Sequence, residues 1–128
     1  MTSFRINKPF ELQEQRRDDL TILFAAGPLE KIELGVLEAA LKRLVREDRR
    51  RVIVDFSEVT TLSTLVVAGF VICTESFRSN GGEVTITGIS PSLRDAFRVI
   101  DSGGRIKQQT DVVAAIKALS PRTAEKGR

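Results

Sequence analysis

Hydroxyl side chains are concentrated in one short segment, from Asp55 to Thr64, which reads Asp-Phe-Ser-Glu-Val-Thr-Thr-Leu-Ser-Thr. An apolar stretch typical of a helix follows it directly. Ser63 or Thr64 can cap that helix, because a hydroxyl oxygen accepts hydrogen bonds from the free N–H groups of a first turn. A helix N-terminus also accommodates anions, so a phosphorylated hydroxyl would be stabilised at the same place. A simple cap and a phosphoacceptor are therefore both open on the residues alone.

Several groups that are common in enzyme active sites are missing from the sequence. The chain contains no histidine and one cysteine, Cys73, which lies in an apolar run and is expected to pack as a small hydrophobic residue. Histidine-dependent nucleophilic systems and histidine or multi-cysteine metal sites are therefore excluded. Two glycine-rich motifs that bind phosphate groups, Gly-x-x-x-x-Gly-Lys-Ser/Thr and Gly-x-Gly-x-x-Gly, are also absent from the sequence. The sequence predicts a protein without catalytic activity and without a cofactor or metal.

The basic residues give a weaker signal. The net charge is +3, but 20 basic residues are interleaved with 17 acidic ones. The densest cluster is Arg46-Glu47-Asp48-Arg49-Arg50-Arg51, between a predicted helix and a predicted strand. A solvated helix end explains it, since cations also favour the negative end of the helix dipole. No aromatic residues accompany it, so nucleic-acid binding is not favoured. A small basic nucleic-acid-binding protein is kept as an alternative from a different class.

The sequence also indicates where the protein resides. Met1 to Asn7 lacks an apolar stretch, and no apolar run approaches the about 20 residues that span a bilayer. One cysteine leaves no intrachain disulfide. We expect a cytoplasmic protein that does not insert into membranes.

Apolar periodicity and turn signals predict alternating strands and helices. The predicted strands are 10–15, 20–25, 52–54, 83–87 and 105–107, and Phe4 and Ile6 are candidates to extend the sheet. The predicted helices are 30–46, 64–78, one that Ser90 caps before Pro91, and one that Thr110 caps and that carries apolar residues to Leu119. A loop is expected from Ser57 to Ser63.

This order predicts an α/β fold: a single mixed sheet, an opening hairpin followed by mostly parallel strands, with about four helices packed against it. The domain is expected over residues 1–119, followed by a flexible tail at 120–128. The apolar run Val52 to Val54 predicts a central strand covered on both faces. The side chains expected to point inward are Leu34, Leu37, Leu41, Leu65, Phe97 and Ile116.

Several strings, in this order and spacing, resemble the STAS domain family, which includes anti-sigma-factor antagonists. They are Gly27-Pro28-Leu29-Glu30, Val54-Asp55-Phe56-Ser57-Glu58-Val59, and the segment from Gly81 to Leu93. The resemblance covers about Leu20 to Leu119. It implies a regulatory module that takes part in signalling and the regulation of transcription by binding a protein such as an anti-sigma factor or serine kinase. Within the same family, the STAS subunit of a lipid-transport ABC system is the alternative, and a homodimer is left open.

The family's switch motif is Asp-Ser-Ser-Gly or Asp-Thr-x-x, in which a partner kinase phosphorylates the hydroxyl after the aspartate. Aligned from Asp55, the aspartate position falls on Ser63 and the acceptor on Thr64, while Leu65 and Val66 replace the Ser-Gly that follows. The resemblance thus implies a phosphoprotein with Thr64 as acceptor and Ser63 as second choice. Loops at the same ends of parallel strands converge, which extends the expected partner surface. It comprises Leu29, Glu30, Ser63, Thr64, Leu65, Val66, Val67 and Ser92.

Overall fold

The computed structural model describes residues 9–101 and 104–126. Five strands and four helices alternate along this part of the chain after an opening pair of strands. They are β1 (Glu11–Arg17), β2 (Leu20–Pro28), α1 (Lys31–Arg46), β3 (Arg51–Thr61), α2 (Thr64–Ser79), β4 (Glu83–Thr87), α3 (Pro91–Ile100), β5 (Lys107–Gln109) and α4 (Val112–Lys126).

The strands form one sheet in the order β1-β2-β3-β4-β5. β1 pairs antiparallel with β2, and every later pair is parallel. The predicted mixed sheet, with its opening hairpin, is thereby confirmed. β3 lies at the centre, as the apolar run predicted, and the side chains of Val52, Ile53 and Val54 are each no more than 1% exposed.

Helices cover both faces of the sheet. Val52 and Val54 point into a large core shared with α1, α2 and α3, whereas Ile53 points into a smaller core with Ala115 and Leu119 of α4. Successive residues of a strand face opposite sides of its sheet, which explains why the β3 run is apolar without interruption. In the larger core the rings of Phe56, Phe70 and Phe97 meet edge to face, with centroids 5.3–6.1 Å apart.

The predicted boundaries of four strands were wrong, and one of them is β2, which ends at Pro28 instead of at Ala25. β3 continues through Thr61, where a loop was expected from Ser57, because the end of β2 from Ala26 to Pro28 supplies partners for Glu58, Val59 and Thr61. β1 runs two residues beyond Gln15, and β5 lies two residues later than predicted. The changes in β3 and β5 depend on pairing with strands that are distant in the chain, which local periodicity does not report. The extension of β1 depends on its hairpin partner β2.

Helix ends also differ in detail. The side chain of Asp111, not that of the predicted Thr110, accepts a hydrogen bond from the Ala114 N–H (2.8 Å) at the start of α4. α1 begins at Lys31, one residue later than expected, and Glu33 accepts from the backbone N–H of Glu30 (3.2 Å). α4 continues to Lys126, through most of the segment predicted as a tail. Phe4, Ile6 and residues 127–128 lie outside the described residues.

Two arginines of the basic cluster hold the fold together, so its interpretation as a solvated helix end was wrong for them. Arg49 donates to the Thr21 hydroxyl (3.0 Å) and to backbone carbonyls of the β1–β2 turn. The guanidinium of Arg51, only 8% exposed, donates to the carboxylate of Asp19 (2.9 Å) and to the Leu119 carbonyl (2.6 Å). These contacts join the hairpin, the central strand and α4 at the end of the sheet where β2 and β3 begin.

Candidate functional site

Four helices begin at one edge of the sheet, because each of the parallel strands β2 to β5 is followed by a helix that runs back. Backbone hydrogen bonds hold the connecting loops together. The Leu29 N–H donates to the Thr61 carbonyl (2.9 Å), and the Gly88 N–H donates to the Thr110 carbonyl (3.2 Å). The loops before α1 and α2 are therefore linked, as are those before α3 and α4. This edge contains every candidate residue.

Ser63 is the N-cap of α2. Its backbone is extended (φ −94°, ψ 162°), and its hydroxyl oxygen accepts a hydrogen bond from the Val66 N–H at 3.2 Å. Its carbonyl accepts from the Val67 N–H (2.9 Å), the first bond of the helix. The capping role expected for Ser63 or Thr64 therefore belongs to Ser63.

Thr64 and Leu65 occupy the first two positions of α2 and lie on the surface. Thr64 is exposed, and the side chain of Leu65 is 79% exposed. The inward position predicted for Leu65 was wrong. A hydroxyl and a large apolar side chain thus lie side by side, at a place where the N–H groups of a helix have no partner within the helix. The arrangement combines an accessible hydroxyl with an apolar contact.

Three residues expected on the partner surface are instead part of the core. Val67 and Leu29 are 0% exposed, and Val66 is 8% exposed. Val66, Val67 and Phe70 share the face of α2 that packs into the larger core, and the Leu29 side chain enters the same core from the loop that joins β2 to α1. Their side chains are not available to a partner, and their contribution is to hold the surface residues in place.

Neighbouring helix starts supply further exposed side chains. Glu30 and Ser92 are exposed as expected, and the Ser92 hydroxyl lies 3.3 Å from that of Ser90. Sequence reasoning missed Ile32, which is 84% exposed in the first turn of α1. The sequence does contain a signal for it. Ile32 lies outside the apolar stripe of α1 that begins at Leu34, so an isoleucine at this position does not face the core.

Asp55, in the middle of β3, links β3 to β4 through its carboxylate. One of its oxygens accepts from the Thr87 hydroxyl (2.7 Å), and the other accepts from the Ser57 hydroxyl (2.6 Å). Gly88 lies so close to β3 that a Cβ on it would come within 2.6 Å of the Ser57 nitrogen. Its φ of +73° also favours glycine. The middle of β3 and the end of β4 are therefore held in one geometry.

Two further observations concern the thiol and the acidic side chains of the described residues. Burial raises the pKa of the Cys73 thiol, which disfavours the thiolate that a nucleophile requires. Within 9–101 and 104–126, no group of three acidic or cysteine side chains is placed to hold a metal ion. In the same ranges, no helix has both the length and the apolarity to cross a bilayer.

Comparison with known proteins identifies the family. The model of the STAS domain matches residues 11–115, which span all five strands and the start of α4. The chain belongs to the STAS domain family. No curated protein matches it in sequence.

Solved structures share the fold of this STAS domain. The anti-sigma factor antagonist SpoIIAA in its unphosphorylated form has a TM-score of 0.67 at 15% identity, over 88% of this chain and 98% of SpoIIAA. A variant of Moorella thermoacetica RsbS has a TM-score of 0.73 at 13% identity, over 88% and 97%. The STAS domain of an antisigma-factor antagonist from Rhodobacter sphaeroides has a TM-score of 0.54 at 25% identity, over 71% and 95%.

Proposed function

We propose that this STAS domain is a non-catalytic regulatory module that binds a protein partner, an anti-sigma factor or serine kinase, through the start of α2. The observation that carries the proposal is the pair Thr64 and Leu65. Both are exposed on a helix that Ser63 caps and that Val67 and Phe70 anchor in the core. A surface apolar side chain on a rigid element is a natural contact for a protein partner. Several solved relatives are named anti-sigma factor antagonists.

The proposed docking surface consists of exposed side chains at three neighbouring helix starts: Glu30, Ile32, Ser63, Thr64, Leu65 and Ser92. It replaces the larger set expected from the sequence, without the buried Leu29, Val66 and Val67. Leu65 and Ile32 supply apolar area, while Glu30 and the hydroxyls can form hydrogen bonds. We expect a partner that covers Leu65 with apolar side chains and places polar groups around them.

Phosphorylation of Thr64 is the proposed switch. The Ser63 oxygen already accepts from the Val66 N–H, so the exposed Thr64 hydroxyl is the freer of the two candidates. A phosphate there would bring about −1.5 to −2 charges next to Leu65. Desolvating that charge against an apolar partner surface is unfavourable, so phosphorylation should release the partner without unfolding the domain. SpoIIAA, which shares the fold, has been solved in a phosphorylated form.

Charged substitutions on α2 test the docking surface. Leu65→Glu should weaken binding at least tenfold, a change of about 1.4 kcal/mol. Ile72→Glu is the matched control, because Ile72 is another exposed apolar residue of α2 (69% exposed) two turns further along. Partners are first identified by mass spectrometry of proteins that co-purify from the native cells. Affinities are then measured with the purified partner, and melting temperatures show that both variants fold.

Equal loss of affinity in Leu65→Glu and Ile72→Glu, or no loss in either, would show that the surface has been misplaced. Recovery of the nucleotide-binding subunit of a transporter, instead of a kinase or anti-sigma factor, would favour the lipid-transport alternative.

The modification site is tested by incubating the protein with the kinase identified in this way. Phosphate should appear on the peptide that contains Thr64, be absent from Thr64→Ala and persist in Ser63→Ala. The opposite pattern would assign the site to Ser63. Binding of the partner by wild type should fall after modification, and binding by Thr64→Ala should not.

A further inference from the structure

A concave site, separate from the docking surface, lies on the face of the sheet opposite to α1, α2 and α3. Ala115 and Leu119 of α4 pack on Leu20 and Ile22 near the start of β2, so the helix covers that part of the sheet. Near the other end of β2, the first turn of α4 does not cover the sheet. There it lines an open cleft of about 590 Å³ together with β1, β2 and β3. We call this the α4 cleft. Its size is within the roughly 300–1,000 Å³ of small-molecule sites.

The α4 cleft has apolar walls. Phe24 and Ala26 of β2 line one side and are only partly buried. Val112 and Val113 of α4 line the other, and Val113 is 70% exposed. An aromatic ring and branched side chains that face each other across open space suit the apolar body of a ligand.

All the charged side chains that line the α4 cleft are acidic. Glu11, Glu58 and Asp111 are exposed, and Asp55 lies buried. Neither lysine nor arginine is among the described lining residues. These carboxylates do not form a group that could hold a metal ion. Negative charge spread over an apolar cleft favours a positively charged organic group instead, and the ring of Phe24 can add a cation–π contact.

We propose that the α4 cleft binds a small organic cation, an ammonium or guanidinium group attached to an apolar body. The apolar body lies between Phe24 and Val113, and the cation is placed toward the carboxylates of Glu11 and Glu58. The site is separate from the docking surface at the start of α2, since the two lie on opposite faces of the sheet. The proposal therefore does not depend on the partner proposed above.

Three probes separate the parts of this proposal in NMR titrations of the full chain. The 2-phenylethylammonium ion carries both the apolar body and the charge, 2-phenylethanol carries the body alone, and methylammonium carries a single charge almost without an apolar body. The first should produce saturable shifts at the amides of Ala26, Gly88 and Val113, which line or border the cleft. The other two should bind at least threefold more weakly.

Variants test the contribution of charge. Replacing Glu11 and Glu58 together with glutamine should weaken binding of 2-phenylethylammonium about threefold to tenfold, as expected for two partly solvated ion pairs. Glu38→Gln is the control, because Glu38 is an exposed carboxylate on α1 that pairs with Lys42 (3.5 Å) outside the cleft. It should leave the affinity unchanged.

Four results would overturn the proposal. They are the absence of saturable shifts with 2-phenylethylammonium, equal affinity for 2-phenylethanol, equal affinity for methylammonium, and unchanged affinity in the double variant. Because none of these measurements involves a protein partner, they leave the proposed function to its own test.

Discussion

The carboxylate of Asp55 and the hydroxyl of Thr87 lie 2.7 Å apart, and both side chains are buried. Their hydrogen bond joins the middle of β3 to the last residue of β4. Asp55 belongs to the string Val54 to Val59 that resembles the family pattern, and its role here is structural. The contact thus ties the central strand to the strand that precedes α3.

Thr87→Val should therefore lower the free energy of unfolding by about 1–3 kcal/mol. Valine matches threonine in shape but leaves an oxygen of Asp55 buried without its donor. The free energy is measured by urea denaturation, with Thr60→Val as the control, since Thr60 is exposed near the end of β3. A Thr87→Val protein as stable as wild type would contradict the importance of this bond.

Arg49→Ala should destabilise the domain by about 1–3 kcal/mol, because the guanidinium donates to Thr21 and to two carbonyls of the turn. Arg50→Ala should change stability by less than about 1 kcal/mol, because Arg50 forms an exposed ion pair with Asp48 (2.8 Å).

Both variants lose one positive charge, so they also test the nucleic-acid alternative. Salt-dependent retention of wild type on DNA or RNA that either variant reduces would support that alternative.

Stability should fall at acidic pH in a way that depends on Glu14. A hydrogen bond from Arg43 (2.6 Å), helped by Arg16, holds the pKa of the Glu14 carboxyl below its ordinary value of 4.5. A carboxyl whose pKa is lower in the folded state stabilises the fold above pH 4.5 and loses this contribution as the pH falls through the folded value.

Urea denaturation at several pH values checks this expectation. The stability difference between wild type and Glu14→Gln should be constant at neutral pH and shrink below about pH 4.5. Glu38→Gln, which removes a carboxylate from an exposed pair with Lys42, provides the comparison. A difference that stays the same down to the lowest pH at which the protein folds would show that the Arg43 contact does not stabilise it.

Phe97→Ala should lower the free energy of unfolding by about 3–5 kcal/mol, since it leaves a cavity beside Phe56 and Phe70. Val99→Ala, on the same helix, should have little effect because Val99 is 77% exposed. Denaturation curves of the two variants give the comparison. Similar losses in both would mean that α3 packs with a different face.

Local patterns in the sequence were sufficient for the order of the elements and for the start of α2, where the docking surface is proposed. The continuous apolar run at Val52 to Val54 predicted the central strand, because only a strand covered on both faces needs apolar residues at successive positions. The hydroxyls before an apolar stretch predicted the start of α2 within one residue, since caps depend on nearby atoms.

Tertiary structure alone decided which side chains of that site are exposed. In the run from Leu65 to Val67 every residue is apolar, so helical periodicity does not single out one face, and packing against Phe70 turns Leu65 outward and Val67 inward. The contacts of Arg49 with the hairpin and of Asp55 with Thr87, and the α4 cleft, likewise join residues that are distant in the chain. Such contacts depend on how strands and helices meet, which no short window of sequence contains.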